Sequence, residues 1–262
     1  MGQVLSAFDI LNGITIRVNM FPIKVAEQKL AQHWVSFYSS DMLLIYDCGY
    51  PGFANFFRHQ NKEEPQAFLT SCPLGFSKEV KAFVDSVGSD TVSLFRANKY
   101  SSEELYKKGF IVPIGSTIDV RLIKVVLDDD TIEVLATDLF NKTDYPYDAF
   151  KELYFTCWRI ETKYDTIKNQ LPLEAFSGQK VATIMQDFYI TFFLSNLQEI
   201  IAKPYESQLI RINENRNHNY KINRNIAFGM MKNRIIEVFM VYNPEKILQS
   251  LEILFIQHIE PV

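Results

Sequence analysis

Tyr154, Cys157, Glu161 and Lys168 follow one another at steps of three, four and seven residues, and those steps return to one face of a helix. A tyrosine, a carboxylate and a lysine on one stripe can hold a metal ion and a phosphate side by side. A second carboxylate, Asp47, follows the apolar run 42–46 and precedes Gly49 and Pro51, which is where an acid at the end of a buried strand would stand. Phosphodiester cleavage and strand transfer need an activated water or 3′-hydroxyl, and they need the charge on the leaving oxygen stabilised. Two divalent ions about 4 Å apart supply both, held by carboxylates from different elements. Asp47 and Glu161 are the acids of this chain best placed for that work, with Tyr154 and Lys168 beside them to grip a phosphate.

The elements that must position these groups are legible as patterns. Residues 3–10 and 14–20 are β-prone runs joined through Leu11-Asn12-Gly13, and Asn-Gly between apolar runs is a strong hairpin signal. Residues 24–37 read as a helix with Val25, Leu30, Trp34 and Phe37 on one face. The run 42–46 reads as a strand buried on both faces, and a short helix is expected over 53–59. Within 66–116, β-prone pieces at 67–71, 91–96 and 110–114 alternate with a helix near 77–87 and polar loops. A second hairpin spans 120–127 and 131–137 around Asp128-Asp129-Asp130. A long helix is expected from Tyr147 to about Asn169, and another from about Gly178 to Ile201, stopped before Pro204. Residues 211–234 are Asn-rich, carry six basic residues against one glutamate, and read as a solvated connector or a backbone-tracking stretch. A final helix over 244–258 sets Ile247, Leu251, Leu254 and Phe255 on one face. The order of elements is α/β with an antiparallel portion.

The stripe resembles the Tyr-Arg-Glu-Lys signature of the IS4-type transposases, in which the glutamate is the last of three catalytic carboxylates. Ile45-Tyr46-Asp47-Cys48-Gly49-Tyr50-Pro51 is similar to the Asp-Arg-Gly-Tyr-Pro motif around that family's second aspartate. Leu153 to Lys168 and Phe176-Ser177-Gly178 are also similar to the family pattern. The resemblance implies a ribonuclease-H-like core with a β-rich insertion before the last catalytic helix. On it, residues 1–65 are the first part of the core, 66–116 the insertion, 117–205 the second part with the catalytic helix, and 206–262 a C-terminal helical region. It also implies Mg²⁺ held by Asp47 and Glu161, and transposon-end DNA held by Tyr154 and Lys168. A homodimer or heterodimer with a transposase and a bacterial cytoplasmic setting, at the nucleoid when DNA is bound, follow from the same likeness.

Two departures qualify the activity. The family's first aspartate ends a strand that precedes such a hairpin, and no residue here matches it; Asp9 is the acid near that end but lies inside the hairpin. The first core strand is therefore expected to be missing, leaving unpaired apolar edges. Cys48 and Cys157 stand where the family has arginines. A guanidinium–phosphate contact is worth about 1.5–3 kcal/mol, so losing two should weaken DNA-end binding roughly a hundredfold or more. Arg159 is a poor substitute, because two residues along a helix point to the other side. The chain is expected to be incompetent for cleavage by itself, with a non-catalytic fragment that binds or regulates an intact transposase as the alternative.

Composition bounds the rest. The chain has 262 residues, 47% hydrophobic and 22% charged, enough to bury one large core or a core with an inserted lobe and too apolar for disorder. A net charge of −4 offers no bulk attraction to nucleic acid, so DNA contact must come from local basic positions. Cys48, Cys72 and Cys157 show no pairing pattern and fit a reducing compartment. The apolar run 184–201 carries Gln186, Asp187, Asn196, Gln198 and Glu199, too many polar groups for a bilayer span. No signal peptide is visible, and His33, His59, His218 and His258 lack ligand spacing. Asp128-Asp129-Asp130 lacks the alternating acids of a calcium loop and reads as a polar hairpin tip.

Overall fold

In chain order the elements are β1 (Gly2–Asp9), β2 (Ile14–Pro22), α1 (Glu27–Trp34) with a 3₁₀ turn at Val35–Phe37, β3 (Leu44–Tyr46), α2 (Phe53–Gln60), β4 (Phe68–Cys72), α3 (Lys78–Val84), β5 (Asp90–Arg96) and α4 (Lys99–Tyr106). There follow β6 (Thr117–Val126), β7 (Ile132–Thr137), α5 (Ala149–Phe155), α6 (Val181–Glu214), β8 (Tyr220–Ile222), α7 (Arg224–Lys232), α8 (Ile235–Met240), α9 (Glu245–Gln257) and β9 (Ile259–Pro261). The computed structural model describes residues 2–156, 160, 177–214, 218–232 and 234–261. The chain is of mixed α/β class and divides into two compact units, one of Pro22–Trp158 and one of Gly2–Phe21 with Arg159–Val262.

The first unit is built on a five-stranded sheet in the order β3-β4-β7-β6-β5, with β3 parallel to β4 and the other pairs antiparallel. Period-two alternation divides its side chains between two cores. Phe68, Cys72, Val120, Leu122, Val134 and Ala136 face α2, α3 and α4, and there Phe56 stacks on Phe68 with ring centroids 5.0 Å apart. Leu69, Ile123, Val125 and Leu135 face the other way, against Phe150 and Tyr154 of α5. Helices thus cover both faces, and every residue of β4 is buried. Fully burying each large apolar side chain contributes about 1.5–3 kcal/mol, which makes these two layers the main source of the unit's stability.

On the α5 side lies a fully buried Arg121. Its Nε and Nη2 donate to the two carboxylate oxygens of Asp90 at 3.0 and 2.9 Å, and Nη1 donates to the carbonyls of Leu139 and Tyr145 at 2.7 and 2.9 Å. The guanidinium also lies over the Phe150 ring at 4.9 Å. This clip ties the start of β5 to the loop that leads into α5.

Several elements differ from the sequence expectation. β3 is half-buried, because among the described residues only β4 flanks it and it ends the sheet. The helix expected over 24–37 begins at Glu27 and tightens into the 3₁₀ turn, which leaves Phe37 64% exposed rather than on the apolar face. Residues 110–114 form no strand, while α4, unforeseen, is fixed by a reciprocal cap between Asn98 and Ser101. The helix expected from Tyr147 is observed as α5, beginning at Ala149; most of its expected remainder, 157–159 and 161–169, lies outside the described residues.

In the second unit α6 does not stop before Pro204 but runs through it. Ile201, Ala202, Tyr205 and Leu209 are buried on both sides of the proline; Ile201, Ala202 and Leu209 pack with Ile222, Met231, Leu251 and Phe255, and this packing outweighs the missing N–H. Residues 211–234 are accordingly no mere connector: they finish α6 and supply β8, which pairs antiparallel with β9, and α7. The β1–β2 hairpin makes its own two-stranded sheet and lays Val4, Val18 and Met20 on Phe188 and Phe192 of α6. A reciprocal pair pins it, Thr15 N to Asn196 Oδ1 and Asn196 Nδ2 to Thr15 O, both 2.7 Å. No helix among the described residues is long and apolar enough to cross a membrane.

Candidate functional site

Asp47 stands where β3 ends, and the turn that follows is held tightly. The Asp47 carbonyl accepts from the Thr70 hydroxyl of β4 and from Tyr50 N, each at 3.1 Å, and the Gly49 carbonyl accepts from the Gln28 side chain. The carboxylate itself is exposed. Its Oδ1 accepts from Cys48 N at 2.6 Å, and the Cys48 thiol also lies against it. An acid is therefore presented to solvent at the carboxyl end of the parallel β3–β4 pair, on a backbone that cannot swing freely.

Behind Asp47 lies a buried polar chain. The His59 imidazole of α2 donates from Nδ1 to the Gln66 carbonyl at 2.7 Å, because a carbonyl can only accept. Its Nε2 must then accept from the Tyr46 hydroxyl at 3.0 Å. Burial pushes the imidazole down to about 4 and pushes the Tyr46 phenol far above its usual range. The ring is neutral with a fixed tautomer. It fastens α2 to the residue preceding Asp47 and so acts on the acid by positioning it.

Glu133 of β7 is the acid that sequence reasoning missed. Burial raises its carboxyl and the nearby Asp47 charge raises it further. The Cys48 thiol is likewise pushed up, first by burial and then by Asp47 and by Glu133. A thiol held in its neutral form is a poor nucleophile. β4 separates β3 from β7 in the sheet, and that adjacency is non-local, so no sequence spacing signals the Asp47–Glu133 coupling.

The other sequence-selected groups fall as follows. Tyr154 is 6% exposed and packs with Leu69, Ile123 and Phe150. Cys157, Glu161 and Lys168 lie outside the described residues. Asp9 closes the hairpin, its carboxylate accepting from Leu11 N and Asn12 N at 3.0 Å and from Asn12 Nδ2 at 2.6 Å. Desolvation opposes its charge, but the Asn12 and Leu11 bonds and nearby Lys203 hold it below the usual carboxylate range. Asp129 closes the second hairpin through Thr131 N at 3.1 Å, while Lys151 meets Asp128 at 2.6 Å. Burial pushes the Cys72 thiol up to about 12, which leaves it inert.

Carboxylate oxygens are the donors that Mg²⁺ takes. Among the described residues, however, no group of three or more His, Cys, Asp or Glu side chains gathers to hold an ion. No family model matches the chain, and no curated protein is significantly similar to it.

Proposed function

We propose that this chain is the core of an IS4-type transposase and that, by itself, it does not cut DNA. The observation that carries the reading is Asp47-Cys48-Gly49-Tyr50-Pro51, set at the carboxyl end of a parallel strand pair with the acid exposed. Ligands of open α/β sheets gather at such strand ends. The Tyr154-Cys157-Glu161-Lys168 stripe follows in the family's order. Mg²⁺ bound at such acids would activate a water and stabilise the leaving oxygen. The residues of this chain bring less than that chemistry needs. Asp47 and Glu161 are two acids of the family's three, and Cys48 and Cys157 offer no guanidinium to a phosphate.

The direct test is nicking of supercoiled DNA by the purified chain with Mg²⁺. We expect no cleavage above that of a Glu161→Ala variant. Mg²⁺-dependent nicking that disappears in Glu161→Ala would refute the claim of incompetence.

A second reading, a regulator that joins an intact transposase, is favoured by one feature of the C-terminal unit. Phe193 of α6 and Phe239 of α8 are more than half exposed with rings 6.2 Å apart, beside exposed Ile236 and Met240. Co-purification with a full-length homologue, lost in Phe239→Ser, would support it; no association would remove it.

A further inference from the structure

We propose that β5 is a pairing edge, at which two copies of this chain join their five-stranded sheets antiparallel. β5 ends the sheet, and among the described residues only β6 flanks it. Its backbone shows which groups are already spent. Ala97 N donates to Ser116 O and Ala97 O accepts from Gly115 N, while Ser89 O accepts from Lys124 N, all at 2.8 Å. Odd-numbered positions therefore face β6, and alternation turns the N–H and C=O of Asp90, Val92, Leu94 and Arg96 outward. The Asp90 carbonyl, 3.5 Å from Lys142 Nζ, points that way. Val92, Leu94 and Arg96 make no hydrogen bond across the open side among the described residues.

Open edges are ordinarily blunted by shortness, lysine, proline or a bulge. β3, at the other end of the sheet, has three residues. β5 has seven, in unbroken register with β6, and holds neither lysine nor proline. Its apolar side chains lie open as well, Val92 48% and Leu94 53% exposed.

The strand is complementary to itself. Paired antiparallel about Ser93, it sets Val92 opposite Leu94 of the second copy and Asp90 opposite Arg96 of the second copy. Every outward position then meets an outward position and becomes a hydrogen-bonded pair. The four side chains share one face, with apolar pairs in the middle and opposite charges at the ends. A parallel, in-register arrangement would bring like charges together. Arg96 is exposed and makes no ion pair among the described residues. Asp90 is held by Arg121 and by Lys142 at 3.1 Å, and Lys142, 56% exposed, can yield its place to the incoming guanidinium. A two-fold axis through Ser93 repeats each contact and closes the assembly at two. The proposal rests on the first unit and not on the transposase reading, so either can fail without the other.

The test is sedimentation velocity of the full chain from micromolar to submillimolar concentration. A monomer–dimer equilibrium is expected. Leu94→Lys should weaken it about tenfold or more, because the two-fold axis makes each substitution count twice. Leu94→Pro removes an N–H that faces the open side, so it should keep the fold and abolish the dimer. Circular dichroism of both variants should match the parent. Ser93→Cys leaves the edge intact and sets two thiols on the axis. Their Cα atoms would stand about 4.5 Å apart in a non-hydrogen-bonded pair, within reach of a disulfide. Mild oxidation should cross-link this variant beyond the parent chain, whose own exposed Cys48 sets the background. A monomer at every concentration would overturn the proposal and leave the edge to a strand of another protein. A dimer that persists in Leu94→Lys and Leu94→Pro would overturn it by placing the contact on another face. A dimer without the Ser93→Cys cross-link would overturn it by denying the register.

Discussion

A proton arriving at Nε2 of His59 would break the bond from Tyr46 as well as place a charge in the core. With its value near 4 in the folded chain against 6.5 ordinarily, the neutral ring contributes stability that is present above pH 6.5 and lost as pH falls through 4. Asp138 has the opposite sign. Burial raises its carboxyl from 3.8 to about 6 even though Oδ1 accepts from Phe68 N at 2.9 Å. Its contribution is present below 3.8 and is lost as pH rises through 6. Asp138→Asn keeps the acceptor and removes the charge. Urea unfolding should therefore show the variant gaining on the parent by about 2 kcal/mol between pH 4 and pH 7. An unchanging difference across that range would mean Asp138 is not held protonated. Asp47 was legible in the sequence because a turn follows an apolar run. Glu133 was not, since its neighbour is set by sheet order.

At the scale of elements, what was legible depended on whether the signal was local. Asn12-Gly13 turns the first hairpin, with Gly13 at φ 71, and α2 and α9 fall within a residue or two of their periodic patterns. Pro204 misled because a local helix-breaker was overruled by packing that the sequence does not display. Pro204→Ala should raise stability by about 1–3 kcal/mol, since the helix regains its N–H at no packing loss. A fall in the urea midpoint would mean the proline shapes the contact with α7 and α9. Arg121 was likewise invisible as a buried residue, because the Asp90 carboxylate and the Leu139 and Tyr145 carbonyls that let it be buried come from distant parts of the chain. Arg121→Met should cost about 3 kcal/mol, at the lower end for a broken buried pair because Lys142 remains 3.1 Å from Asp90. Adding Asp90→Asn should return part of that loss in the same equilibrium measurement. If the double variant were less stable than Arg121→Met, the uncompensated Asp90 charge would not be the source of the loss.

For the whole molecule, composition told little beyond enough apolar residues to bury a core and an absence of bulk attraction to DNA. With a net charge of −4, any nucleic-acid contact must rest on a few local phosphates, and its salt dependence should be shallow, about 0.9 in logarithmic slope per phosphate. The α/β class was legible because hairpins, short strands and long helices each leave a local pattern. The arrangement of the sheet and the pairing of the N-terminal hairpin with α6 were not, since both are made by contacts between distant parts of the chain. The transposase reading requires inverted repeats flanking the gene and some remaining preference for them. The measurement that tests it most directly is fluorescence-anisotropy titration of the chain against a duplex of that repeat and a shuffled duplex of equal composition. We expect the repeat to be preferred about tenfold or more, with the preference reduced by Lys168→Ala. Absent repeats, or equal binding of the two duplexes, would contradict the transposase reading.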